Sequence, residues 1–281
     1  MEAFMSSLTF WIKVTRPIQC IIAGCAAWLI ALLSNGPLWA TPPKISAGVI
    51  MFFCVMGSSL YHYGLAKKIY ARKYWDLVEV DRPVLLVMLG SAAFLTAIVL
   101  ALYYLPTSCA FIVILDALAI IAYSRKLSAH WTTKNLTIAF VCTTPVLVGW
   151  FSGHRLHPVV PYLIGATFFG YLAREIIKDY TDLKANEGIR VTLPMWLGVE
   201  NALRVAAGCV TVCILCLMPV FSIIRQDAPL AYIPFTLAIA IFCITTLSLI
   251  KFERVRRMPS YITIGNACLM AATFILRLAR T

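Results

Sequence analysis

The sequence predicts an all-α, polytopic membrane protein with nine membrane-crossing helices. Three observations carry that prediction. First, 61% of the residues are hydrophobic and only 13% are charged, with a mean hydropathy of +0.86, where a soluble domain carries about 25% charged residues. Second, apolar stretches long enough, or nearly so, to cross a hydrocarbon layer of about 30 Å recur along the whole chain. Third, lysine and arginine fall almost entirely into alternate connections between those stretches, the charge asymmetry by which a membrane protein is oriented.

The nine segments run from 18 to 34, 45 to 66, 84 to 104, 107 to 122, 135 to 151, 159 to 178, 199 to 221, 231 to 250 and 260 to 278. Nothing left over is large enough for a soluble unit, so residues 1–281 read as one integral-membrane domain. Little more than Pro106 separates the third and fourth segments, which predicts an antiparallel pair joined by a tight turn. The first segment is longer than the apolar region of a signal peptide, and Leu38-Trp39-Ala40 is a poor cleavage site, so it is expected to stay in the protein.

Eighteen of the 24 lysines and arginines lie before the first segment, in the second, fourth and eighth connections, or in and around the sixth, Arg174 and Lys178 standing at the end of the segment that leads into it. Five, Lys44, Arg155, Arg225, Arg277 and Arg280, lie on the other side, and Arg204 lies inside the seventh segment. This asymmetry predicts a cytoplasmic N-terminus and, with nine crossings, a C-terminus outside; in a bacterium that membrane would be the inner one. A formal charge of +12 also suits a nucleic-acid binder, but that reading needs a folded domain with one basic face, and none is present. The ten cysteines all fall in apolar segments and read as small helix-packing residues. The four histidines show no metal-ligand spacing.

Polar groups at membrane depth mark function because hydrocarbon makes them costly. The richest patch runs from Tyr171 to Gly198. Asp179 and Asp182 share one helical face there, and Lys178 neighbours Asp182 on the adjoining one. Two carboxylates so spaced can hold Mg²⁺, or they can belong to a solvated helix end laced with ion pairs. A second patch, in the second connection, places Lys68, Arg72 and Asp76 four residues apart. It reads either as orienting charge or as a cationic clamp for a diphosphate or an anionic headgroup. The third patch is Tyr123-Ser124-Arg125-Lys126, followed by Asn135. Asp116 lies two turns before Tyr123, inside an apolar helix, and requires either an interhelical hydrogen bond or the wall of a hydrated cavity.

With these patches in view, the chain resembles the UbiA superfamily of intramembrane prenyltransferases over essentially its whole length. The carrying residues are Arg16-Pro17, Asp81-Arg82-Pro83, Tyr123-Ser124-Arg125-Lys126 with Asn135, and Pro145 with Gly149. Arg174-Glu175-Ile176-Ile177-Lys178-Asp179 with Asp182, and Thr192-Leu193-Pro194 with Gly198, complete the set. The Arg174 to Asp179 wording and the Arg16-Pro17 start look most similar to the branch that alkylates glycerol-phosphate lipids with geranylgeranyl groups.

The resemblance implies a horseshoe of nine helices around a lipid-open cavity, and transfer of a prenyl group from a prenyl diphosphate to a lipophilic acceptor, aromatic or of the glycerol-phosphate type, through an allylic cation. It implies Mg²⁺ held by Asp179 and Asp182, with Asp76 and Asn186 at further ligand positions. Lys178 and Lys126 would stand with the two aspartates as catalytic groups. Lys68, Arg72, Arg125, Lys126, Lys178 and Arg16 would face the diphosphate, and Asp116, Tyr123, Asn135 and Tyr171 would line the cavity. The chain departs from the family in one respect above all: Lys68 and Arg72 stand where the first acidic motif carries metal ligands. Two other readings follow from that departure. One is a repurposed member, such as a terpene cyclase or an enzyme of other lipid-phosphate chemistry. The other is a non-catalytic lipid-binding protein or a transporter using Asp116.

Overall fold

A computed structural model describes residues 10–33, 42–65, 83–153 and 157–279. Among these residues the regular structure is helical apart from one isolated β-bridge. Nine long helices follow one another: α1 (Pro17–Leu33), α2 (Pro42–Leu65), α3 (Pro83–Tyr104), α4 (Thr107–Arg125), α5 (Trp131–Phe151), α6 (Val160–Thr181), α7 (Val199–Asp227), α8 (Tyr232–Ile250) and α9 (Met258–Leu278). Among the described residues, eight helices are long and apolar enough to cross a membrane. The expected sixth crossing, α6, falls outside that set; its last two turns carry Arg174, Glu175, Lys178 and Asp179, and those charges lower its apolarity.

Local chemistry explains the helix ends. Pro106 precedes α4 with a φ of −56° and ψ of 151°, so the chain reverses between α3 and α4 within two residues, as expected of a proline that cannot continue a helix. Arg16 sits in the left-handed region, with a φ of 50°, between a helical stretch at residues 10–15 and α1. Proline disfavours the α conformation in the residue before it, which accounts for this break ahead of Pro17. The seventh expected segment, ending at 221, extends in the structure to Asp227 with Pro219 inside the helix.

The helices pack as two halves. One core joins α1 to α5 through Ala27, Ala31, Ala47, Met51, Cys54, Ala97, Ala110, Val113 and Val148. The other joins α6 to α9 with parts of α1 and α5 through Ile30, Val146, Ala166, Ala206, Val210, Phe235, Phe242 and Leu269. Helices α1 and α5 touch each other and serve both halves. Outside, Ile18, Val84, Met88, Leu95, Leu102, Phe111, Leu215 and Ile233 are exposed. Such a continuous apolar exterior suits lipid as the solvent.

Between hydrocarbon-solvated helices, association relies on close packing rather than on the hydrophobic effect. The α2–α3 contact illustrates this. A Cβ at Gly90 would stand 2.6 Å from the Tyr61 nitrogen and 3.0 Å from the Gly57 oxygen, so the two backbones meet where neither helix has a side chain. Gly208 on α7 has nothing within 4 Å of the equivalent position. Alanine improves helix propensity equally at both sites. Gly90→Ala is therefore expected to destabilise the protein by about 1–3 kcal/mol, and Gly208→Ala to stabilise it slightly, as read from thermal unfolding in detergent.

Candidate functional site

The expected polar residues come together at one end of the bundle. Helices α2, α4 and α6 end there, and α1 and α5 begin there, as His62 to Ser124 (Nδ1 to Oγ 3.0 Å), Arg16 to Tyr63 (3.3 Å) and Lys134 to Asp179 (2.6 Å) demonstrate. Alternating helix direction makes this convergence, since successive helices end and begin at the same end of the bundle.

Lys134, in the first turn of α5, is the centre of the arrangement. Its ammonium donates to Asp179 Oδ1 at 2.6 Å and to Asn135 Oδ1 at 3.0 Å, and lies 3.8 Å from Glu175 Oε2. Lys134 is 4% exposed and Asp179 2% exposed. Glu175 is also buried and accepts from Arg174 Nη1 at 2.9 Å and from Lys178 Nζ at 3.0 Å. Two carboxylates and three cations thus form one network across α5 and α6. Breaking a buried pair from one side strands the other charge, which costs about 3–5 kcal/mol.

Around this network lie Tyr123 from α4, within electrostatic reach of Lys134, Glu175, Asp179 and Arg190, and His62 from α2, within reach of Arg16, Lys178 and Arg190. Tyr123 and His62 pack with ring centroids 5.0 Å apart and their planes tilted by 51°. Arg190 is carried by the connection after α6. That connection is tied down by Val191 N to the Ala129 carbonyl at 2.9 Å and by Trp196 on Trp131, 5.4 Å apart. Gly198, with a φ of 84°, then turns the chain into α7 through a conformation costly for other residues.

Several expected residues take other places. Asp182 caps the C-terminus of α6, its backbone N–H donating to the Lys178 carbonyl at 2.9 Å. Lys178 spends its ammonium on Glu175. Arg125 and Lys126 are exposed at the end of α4. Tyr171 is half-buried under the Arg174 guanidinium, 6.0 Å from the ring centroid. Asp116 does not stand on an open cavity wall: it is 1% exposed and accepts from Thr144 Oγ1 of α5 at 2.7 Å, so of its two possible environments it has the interhelical hydrogen bond. Lys68, Arg72 and Asp76 lie outside the described residues. Arg204 pairs with Glu200 in the first turns of α7, 3.5 Å apart. An open cavity of about 520 Å³ lined by Tyr180, Arg254, Arg256 and Arg257 is separate from this network.

Sequence reasoning missed Lys134, Glu175, Arg190 and His62 as members of the site. Lys134 counted only as orienting charge, although its position beside Asn135 was the available signal. No group of three His, Cys, Asp or Glu side chains that could hold a metal occurs among the described residues. Three buried side-chain oxygens nevertheless have no hydrogen-bond partner there, Asp179 Oδ2, Asn186 Oδ1 and Thr192 Oγ1. The first two are hard donors of the kind Mg²⁺ takes, and Asp179 Oδ2 is open to a divalent ion while Lys134 holds the other oxygen.

Residues 81–265 match the model of the UbiA prenyltransferase family. Among curated relatives, the digeranylgeranylglyceryl phosphate synthase of Methanoculleus marisnigri is 27% identical over 213 residues, covering 72% of this chain and 74% of that protein. The synthase of the same name from Pyrococcus furiosus is 25% identical over 280 residues, covering 94% and 93%. A solved structure concerned with digeranylgeranylglyceryl phosphate synthase in membranes superposes with a TM-score of 0.77 at 16% identity, covering 96% of this chain and 98% of that one. A UbiA homolog from Archaeoglobus fulgidus bound to GPP and Mg²⁺ gives 0.69 at 13% identity, covering 96% and 99%. The family match spans well over half of the chain, and the helical fold and its membrane-crossing segments agree with it: the chain belongs to the UbiA prenyltransferase family.

Proposed function

We propose that this chain transfers a prenyl group from a prenyl diphosphate to a lipophilic acceptor of the glycerol-phosphate type, and that the chemistry takes place at the charged end of the bundle. The observation that carries this reading is the convergence of Arg174, Lys178 and Arg190 with the buried carboxylates Glu175 and Asp179 at the ends of five helices. The names of the curated relatives support the acceptor class.

In this reading the carbon–oxygen bond to the diphosphate breaks first. The electron pair leaves with the diphosphate, and the allylic cation is captured by an acceptor oxygen, which loses its proton. Cations aimed at the departing group stabilise the charge that develops there. Arg174, Lys178 and Arg190 serve that purpose, with Arg16, Arg125 and Lys126 at the rim and Lys68 and Arg72 in the second connection. Tyr123 and Tyr171 offer ring faces to the allylic cation. Asn135 holds the Lys134 ammonium in place. Mg²⁺, when bound by Asp179, Asp182, Asn186 and Asp76, supplies further positive charge to the leaving group.

The same proposal sets the chain in the bilayer as one domain of nine crossings, α6 included, with the N-terminus in the cytoplasm and the C-terminus outside. The charged end then faces the cytoplasm, which supplies the water-soluble diphosphate head. The positive-inside distribution of lysine and arginine supports this orientation.

Three measurements test the reading. Asp182→Asn is expected to lower diphosphate release from a labelled prenyl diphosphate by roughly 100-fold or more, and unchanged release removes the residue from the site. Excess EDTA is expected to stop turnover in the purified protein in lipid; full activity there leaves only the protein's own cations at the diphosphate. Lys126→Cys is expected to react with a membrane-impermeant maleimide in inside-out vesicles and not in sealed right-side-out ones, and the opposite pattern reverses the orientation.

A further inference from the structure

We propose that Lys134 is a resident cation of the diphosphate site, its ammonium occupying on Asp179, Glu175 and Asn135 the position that a divalent ion would otherwise take.

The geometry resembles a coordination set more than an ordinary surface ion pair. One nitrogen faces three oxygens from three side chains: a carboxylate at 2.6 Å, an amide oxygen at 3.0 Å and a second carboxylate at 3.8 Å. All three acceptor residues are buried, as is Lys134 itself. An aspartate, a glutamate and an amide oxygen are the donors chosen by hard divalent cations, and here an ammonium holds them. The network needs a positive charge at that point, because two carboxylates buried side by side repel each other unless a cation stands between them. Arg174 and Lys178 compensate Glu175, Arg174 through Oε1 and Lys178 through Oε1 at 3.0 Å and Oε2 at 3.4 Å, while the Lys134 ammonium is the cation that reaches Asp179 Oδ1.

The arrangement has a consequence for metal binding. Asp179 has one oxygen on Lys134 and the other, Oδ2, buried without a hydrogen-bond partner among the described residues. A divalent ion can reach Oδ2, but a second one on the Oδ1 side must expel the ammonium or sit beside it. Lys134 thereby limits how many divalent ions this end of the protein holds and keeps the carboxylates compensated before any substrate or metal arrives. Lysine is suited to the task because its ammonium is a compact point charge that donates in three directions.

This inference rests on the proposed diphosphate site, but its test uses no prenyl transfer, so the two can fail separately. Purified protein in lipid is titrated with Mn²⁺ alone and free Mn²⁺ is read by electron paramagnetic resonance, comparing the wild type with Lys134→Met and with the charge-neutral pair Lys134→Met and Asp179→Asn. Lys134→Met is expected to bind Mn²⁺ roughly tenfold more tightly or to gain an additional bound ion, and its melting temperature is expected to rise with Mg²⁺ by more than that of the wild type. The neutral double variant is expected to show neither gain. Equal or weaker Mn²⁺ binding by folded Lys134→Met overturns the proposal. So does a single variant that folds in neither EDTA nor Mg²⁺ while the double variant folds, because a divalent ion then cannot take the ammonium's place.

Discussion

In hydrocarbon each unpaired backbone N–H or C=O costs several kcal/mol, so a chain that crosses a bilayer must satisfy its backbone within each segment. Helices are the solution this sequence adopts, and they impose a geometry on everything else. Side chains that need water or a counter-charge gather at the helix ends. Because consecutive helices run in opposite directions, one end of the bundle collects the termini of α2, α4 and α6 and the starts of α1 and α5. The protein's chemistry is concentrated at that end by the solvent before any particular residue is considered.

Within that end the decisive contact is between Lys134 and Asp179. It joins α5, which serves both halves of the bundle, to α6 of the second half. Glu175 extends it to Arg174 and Lys178, and the connection carrying Arg190 is fastened over it by the Val191 to Ala129 bridge and the Trp131–Trp196 stack. Deeper along α4 and α5, Asp116 and Thr144 form a second polar contact, this one complete in itself. The two contacts differ in what they leave unsatisfied: around the first, Asp179 Oδ2, Asn186 Oδ1 and the Arg174 and Arg190 Nε atoms are buried without partners among the described residues. Unpartnered buried polar atoms are costly, and that cost is the physical ground for proposing a ligand beside the first contact and none beside the second.

The sequence showed which helices exist because apolarity over some twenty residues is a local property, and the observed ends of α1, α3, α5 and α8 lie within a few residues of those expected. Asp179 was recognisable because an acid beside Lys178 in an apolar context is rare. Lys134 was not, since a lysine near a membrane surface reads the same in sequence whether it orients the chain or lies buried against a carboxylate 45 positions later. That α6 stops at Thr181, with Asp182 as its cap, could not be read from the sequence. Helix ends depend on capping and on contacts of the following connection, and these are not periodic.

The sequence by itself determined the fold class and the end at which charge accumulates, because hydropathy and the lysine and arginine distribution act residue by residue against the bilayer. Only the tertiary structure decided which charge meets which. The partner of Asp179 proved to be a lysine on a neighbouring helix, and the burial that makes this pair strong arises when α5 and α6 pack together. In low dielectric a few ångströms separate a compensated ion pair from a stranded charge, and distances of that kind exist only after the helices have met.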